Sequence, residues 1–156
     1  MLTNESIEYA NRSVLCWLAT VGANGVPNVS PKEAFAFYGR EYLVIANNAS
    51  PTSVRNIASN ANVCACYIDV FVQKGFKVFG KAEYITKTDP RYPHFVEPLC
   101  AITGDAFPIL GIIAVRVESI EPIVEPSYYM VPGTTEASQT AAALCTYGVV
   151  AKGSAT

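Results

Sequence analysis

The chain has 156 residues, of which 51% are hydrophobic and only 15% charged, with a formal net charge of -2. That length predicts one domain with a substantial core, and the near-neutral balance excludes a general nucleic-acid binder, which needs a basic stripe. A charged fraction well below the roughly 25% usual for soluble domains predicts that a second copy covers part of the surface, as a homodimer.

In chain order, Thr3 or Asn4 caps a short helix running to about Arg12, with Glu5 and Glu8 in its early turns. Ser13 to Val21 is a continuous apolar run that ends at Gly22-Ala-Asn-Gly25. The Asn-Gly pair predicts a hairpin whose return strand is Val26 to Phe37. Inside that return the alternation breaks at Ser30-Pro31-Lys32, and a proline there predicts an edge strand, a bulge or a neighbour that is not a strand. Further strands are predicted at Tyr42 to Ala46, Asn62 to Val72, Phe76 to Ile85 and Pro108 to Glu118, with Gln73-Lys74-Gly75 as a turn. Gly80 in mid-strand predicts a bend or the close approach of another backbone. Thr88 to Asp105 holds three prolines and reads as short helical turns crossing one end of a barrel. Ser119 to Pro132 reads as extended or irregular, and Thr134 or Thr135 caps a last helix to about Leu144. Six strands with one inserted helix predict a mainly β fold, a six-stranded antiparallel barrel with peripheral helices. It fills a single domain over residues 1–156, the C-terminal helix and tail beginning near residue 134.

Cys16, Cys64, Cys66, Cys100 and Cys145 sit mostly inside apolar runs and form no C-x-x-C pair, and His94 is the one histidine. A zinc site is therefore not expected, and reduced, buried thiols of a cytoplasmic protein are. The first residues carry no basic stretch followed by an apolar core, so no leader is expected. No apolar run reaches the roughly 18 residues of a membrane-spanning helix.

The stretch Ala46 to Asn60 leaves a strand, turns and opens a helix. Ser50 suits the N-cap, and Pro51 suits the first helical position, where a missing N–H costs nothing. Thr52 and Ser53 place hydroxyls beside backbone N–H groups without intrahelical partners, at the end of a helix carrying roughly half a positive charge. That is a candidate phosphate cradle, with Arg55 and Asn56 on other faces within reach of the same anion. Val54, Ile57 and Ala58 share the face that pins the helix to a core. The same residues also describe a well-capped helix with no ligand.

Five motifs in order carry a resemblance: Leu18-Ala-Thr20; Asn24-Gly25-Val-Pro27-Asn-Val-Ser30-Pro31; Ser50-x-x-Ser53-x-Arg55-Asn56-Ile57; Asn60-x-Asn62-Val63; and Lys77-Val-Phe-Gly80-Lys-Ala82. Together, over about Val14 to Glu118, the chain resembles the pyridoxamine 5′-phosphate oxidase-like, FMN-binding split-barrel proteins. The resemblance implies a homodimeric split β-barrel with FMN at the interface. It implies that Val29, Ser30, Pro31 and Lys32 run along the flavin ring, and that Ala46, Asn47, Ser50, Thr52 and Ser53 take the phosphate. The strand from around Lys74 to Lys77 is implied to contribute as well. Thr52-Ser53 stand where the oxidase itself resembles an Arg-Lys pair, so Lys32, Arg55, Lys74 and Lys77 are the candidates to supply charge. The oxidase's C-terminal arginine-bearing segment has no match, and pyridoxamine phosphate is not expected as a substrate.

The expected function is thus an FMN-dependent oxidoreductase of unassigned substrate; a flavin carrier without turnover, or a haem or deazaflavin binder on the same fold, are the alternatives. No Ser-His-Asp, Cys-His or paired-carboxylate set stands out, so no catalytic residue is nominated. Lys32 beside the flavin N1–C2 edge would stabilise reduced, anionic flavin. Trp17 is expected in the core, His94 in a surface or packing role, and Tyr128, Tyr129 and Met130 at an interface or a pocket wall.

Overall fold

The computed structural model describes residues 2–104 and 107–151. The elements are α1 (Asn4–Arg12), β1 (Cys16–Val21), β2 (Pro27–Lys32), β3 (Phe35–Tyr38), β4 (Tyr42–Asn47), α2 (Pro51–Ser59), β5 (Asn62–Asp69), β6 (Lys74–Ile85), α3 (Tyr92–Thr103), β7 (Gly111–Val124), α4 (Ser127–Met130) and α5 (Glu136–Tyr147). All strand pairs are antiparallel, in one seven-stranded sheet of order β2-β1-β5-β6-β7-β4-β3. That is one strand more than the sequence predicts, because Val26 to Phe37 is two strands. β2 stops at Lys32, the chain bends through Glu33-Ala34, and β3 starts at Phe35. Since β2 and β3 are the two edges of the sheet, this short link draws the edges together and curls the sheet into a split barrel. The Ala46 N–H donates to the Ala34 carbonyl at 2.9 Å, which carries the β3–β4 pairing one residue into the link. Pro31 is tolerated because β2 is an edge strand, paired with β1 alone and opposite Trp17.

Inside the curl, alternate strand residues form the main core: Cys16 and Leu18, Leu43 and Ile45, Ala65 and Tyr67, Val78, Ile113 and Val115, closed by Tyr9 of α1 and Ile57 of α2. A second cluster lies on the other side of β4 and β7, where α3 packs Phe95 and Leu99 against Val44, Ile112 and Ala114. Residues 43–45 and 112–115 are thus covered on both faces, and this is why they are unbroken apolar runs. α3 is one 12-residue helix rather than short turns, although Pro98 lies inside it. Burying Phe95 and Leu99 is worth about 1.5–3 kcal/mol each, which offsets the roughly 3 kcal/mol cost of an interior proline.

Gly80 behaves as its position predicts. The register shifts there, and a Cβ would collide with the Arg116 carbonyl oxygen of the neighbouring strand. β7 continues past Glu118 to Val124, its far end pairing with Lys74–Phe79, so the segment expected to be irregular is partly strand. Lys74 and Gly75 accordingly belong to β6, and the turn lies before them, with Gln73 at a positive φ of 56°. Thr3 and Thr135 cap α1 and α5, each with a serine three residues on completing the box. Trp17 is not in the core; it stands 43% exposed on the outer face of β1. All five cysteines are free thiols, with Cys16 buried and Cys145 exposed. Among the described residues no helix is long and apolar enough to cross a membrane.

Candidate functional site

Where the edges of the sheet meet, the surface opens into a cleft of about 580 Å³, within the roughly 300–1,000 Å³ common for small-molecule sites. One wall is the end of β2 and the crossing link, Ser30 to Ala34; a second is Ala46, Asn48, Ala49 and Ser50, between β4 and α2; a third is Ile102, Thr103 and Phe107, beyond the middle of α3. Ile102 and Phe107 are large apolar side chains left about half exposed at this wall.

The loop from β4 to α2 is shaped by Asn47, which is buried. Its Oδ1 accepts from the Ser50 backbone N–H at 3.2 Å and its Nδ2 reaches the Tyr84 hydroxyl at 3.5 Å. The first helical bond of α2 runs from Val54 N–H to Ser50 carbonyl at 3.2 Å, so the N–H groups of Thr52 and Ser53 precede the ladder and have no intrahelical acceptor. Ser50 occupies the N-cap position and Pro51 the first turn, as the sequence predicts, but the Ser50 side chain makes no capping bond. Its Oγ is instead taken by Lys32, whose Nζ donates to it.

Lys32 ends β2 as a lysine only 5% exposed. Among the described residues it takes part in no ion pair. Burial pushes the Lys32 ammonium below the usual lysine range, with the neighbouring Cys16 acting weakly the other way. A buried cation without an acid is unfavourable in the empty protein, and here it stands beside the positive end of a helix. Both features favour an anion at this corner of the cleft.

The structure brings only some of the predicted residues together. Ser30, Pro31, Lys32, Ala46 and Ser50 line the cleft together. Ser53 is close by but turned inward: it is 1% exposed, its Oγ lies 3.2 Å from Ser30 Oγ, and it accepts from Asn28 Nδ2 at 3.4 Å. Asn28 and Asn56 both donate to Thr20 Oγ1, at 3.4 and 3.0 Å, so a polar layer fixes α2 onto β1 and β2. Thr52 and Arg55 are exposed and bonded to each other, Arg55 Nη2 donating to Thr52 Oγ1 at 3.2 Å. Val29 points out of the sheet, 56% exposed. Lys74 does not line the cleft; it pairs with Glu136 of α5 at 2.9 Å and lies 4.3 Å from the centre of the Tyr128 ring. Lys77 pairs with Glu121 at 3.5 Å on the exposed surface. The inner face of α2 is Ser53 and Ile57, with Ala58 exposed, so the expected apolar trio is only partly used.

Sequence reasoning missed Glu33, Ala34, Asn48, Ala49, Ile102, Thr103 and Phe107. Asn47-Asn48 after a strand was a visible turn signal, whereas Ile102 and Thr103 of α3 and Phe107 after it reach the cleft only through tertiary packing. Asn48 has a further property: among the described residues its Oδ1 is the one buried side-chain oxygen or nitrogen with no hydrogen-bond partner. His94 is exposed on α3 and does not line the cleft.

Fold and cleft together define a split-barrel protein with a buried lysine where β2 meets the start of α2. The chain belongs to the pyridoxamine 5′-phosphate oxidase family, whose model matches residues 2–125. Among solved structures it is similar to an FMN-binding protein from Syntrophomonas wolfei, at 14% identity and a TM-score of 0.64 over 78% of this chain and 88% of that one. It is similar to an F420 reductase, at 23% identity and a TM-score of 0.60 over 77% and 98%. It is also similar to HutZ, the haem storage protein of Vibrio cholerae, at 18% identity and a TM-score of 0.62 over 80% and 95%. Among curated proteins none matches. At these identities the likeness is one of fold, and α4 and α5 lie beyond the family match.

Proposed function

We propose that the chain binds FMN in this cleft and serves as a flavin-dependent oxidoreductase. The observation that carries the reading is Lys32: buried, without an acid, and bonded to Ser50 at the first turn of α2. The residues present fit a phosphorylated flat ring. Lys32, Ser50 and the free N–H groups of Thr52 and Ser53 would hold the phosphate. Ser30 and Pro31 on one side, with Ile102 and Phe107 on the other, offer a partly apolar slot for a ring system. Bound flavin supplies hydride and electron transfer. The protein's part is to bind, orient and exclude water, with Lys32 and Glu33 the ionisable side chains among the described residues that line the cleft. Of the four candidates to neutralise the phosphate, position favours Lys32, because Lys74 and Lys77 are paired with acids elsewhere.

A second copy fits the outer face of β1, β2, β5 and β6. There Trp17, Val29 and Pro31 are exposed and Ala19, Cys64, Cys66 and Phe79 partly so, and they adjoin through the strand registers. We propose a homodimer on this face, which borders the cleft at Pro31. Light scattering should give twice the 16.8 kDa of one chain; a concentration-independent monomer rejects it.

The cofactor test is fluorescence titration with FMN and with haemin, followed by anaerobic stopped-flow near 450 nm, roughly the flavin band, using NADH and NADPH. FMN should bind and haemin should not compete for the same site. Reduction faster than that of free FMN supports the enzyme, and no reduction by any donor leaves a carrier.

A further inference from the structure

Among the described residues that line the cleft there is one cation, Lys32, and one acid, Glu33. In the flavin reading Lys32 is spent on a phosphate, which itself carries roughly −1.5 to −2 charge. Glu33 is left over. Its side chain is exposed, and among the described residues it enters no hydrogen bond or ion pair.

The position of that acid is nevertheless fixed. Lys32 before it is buried and donates to Ser50 Oγ, while the carbonyl of Ala34 after it accepts from the Ala46 N–H at 2.9 Å. Consecutive Cα atoms are about 3.8 Å apart, so the Glu33 backbone is held from both sides and only its carboxylate is free to turn. The third wall adds apolar surface, with Ile102 and Phe107 about half exposed.

These groups limit what can share the cleft with the phosphate. A second anion would meet both Glu33 and the phosphate, with no lysine or arginine beyond Lys32 among the described lining residues to offset them. An ammonium group instead meets an unpaired carboxylate, and an apolar body joined to it covers Ile102 and Phe107. Fully solvated, such a pair is worth little; with water displaced by the ring and the apolar body, the attraction grows.

We infer that Glu33 is a specificity-determining residue for the molecule that lies beside the flavin, selecting an amine with an apolar body and rejecting an acid. This rests on the flavin reading of the cleft and deepens it by naming a substrate class.

The test titrates the FMN-loaded chain with benzylammonium, benzyl alcohol and benzoate, which share a ring and carry a positive, no and a negative charge. Binding is read from the shift it causes in the flavin absorption band. Wild type should bind them in that order, benzylammonium about tenfold more tightly than benzoate, and the ratio should shrink at high salt. Glu33→Gln should reduce the ratio to about threefold or less, Glu33→Asp should keep the order, and Glu33→Lys should reverse it. Because the side chain is exposed and unbonded, its replacement should not disturb folding. Equal affinity of wild type for the three compounds, or binding by none, overturns the inference and leaves the flavin reading intact. A ratio unchanged in Glu33→Gln assigns the selectivity to other charges and overturns it too. If FMN itself does not bind, the flavin reading fails separately; the same series on the unloaded chain, followed by calorimetry, then decides Glu33 by the same order of affinities.

Discussion

Two lysines on different strands, Lys32 of β2 and Lys74 of β6, meet opposite surroundings. Lys74, at the start of β6, has Glu136 at 2.9 Å and the face of Tyr128 beneath it. Glu136 in turn accepts from the Tyr9 hydroxyl at 3.0 Å, which ties α5 to α1 and the barrel. The hydrogen bond to Glu136 holds the Lys74 ammonium above the usual lysine range. Lys32 is more deeply buried, has a hydroxyl as its partner and no acid, and is pushed the other way by burial. A charge completed within the chain is a fastening; one left without an acid beside a cleft is what the proposed phosphate site uses. The two positions look alike in sequence, since each is a lysine on a strand near a turn.

The largest effect that separates them is on ligand affinity. Lys32→Met should weaken FMN binding about a hundredfold, the worth of a charge-assisted hydrogen bond at 1.5–3 kcal/mol, with the chain still folded by circular dichroism. Lys74→Met should change affinity less than about twofold. Its cost falls on the docking of α5 and stays within about 1 kcal/mol, because the pair is partly exposed. A matching loss of affinity in Lys74→Met would break the contrast and return that lysine to the cofactor.

The next effect concerns pH. A phosphate on Lys32 raises the depressed ammonium pKa again, so the bound protein holds more protons than the free protein. Affinity is then full below the free-protein value and falls as pH rises through it, short of the ordinary 10.5. Titrations upward from about pH 7, above the second phosphate pKa near 6, should show this fall in wild type and none in Lys32→Met. A profile flat in both would mean that Lys32 does not meet the phosphate.

The smallest expected effect divides the two hydroxyls at the start of α2. Ser53→Ala removes a buried hydroxyl that joins Ser30, Asn28 and α2, and should lower stability by about 1 kcal/mol in denaturant unfolding. Thr52→Ala touches an exposed side chain bonded to Arg55 alone and should stay within about 0.5 kcal/mol. If Thr52→Ala proved the costlier for FMN, the hydroxyl of Thr52, and not only its N–H, would belong to the site.

Much of this was present in the sequence. Period-two alternation, the Asn24-Gly25 turn and the Ser50-Pro51 helix start are local signals, and they placed the strands of the barrel and the corner where α2 begins. The edge position of β2 was legible in Pro31, and the close backbone approach at β6 in Gly80. The split of Val26 to Phe37 was not, because Glu33-Ala34 carries no turn residue and the break exists only because the two sheet edges must meet there. The same limit applies to the charges. Residue type shows that a lysine can hold a phosphate, but whether Lys32 or Lys74 remains unpaired depends on partners such as Glu136, 62 positions from Lys74. Likewise Ser53 was a visible hydroxyl, yet its inward turn toward Ser30 depends on how α2 docks. By itself the sequence determined the elements and the menu of polar groups, since those follow from neighbours along the chain. The tertiary structure decided which charges are paired within the protein, like Lys74, and which, like Lys32, are buried without an acid, since pairing and desolvation are set by neighbours in space.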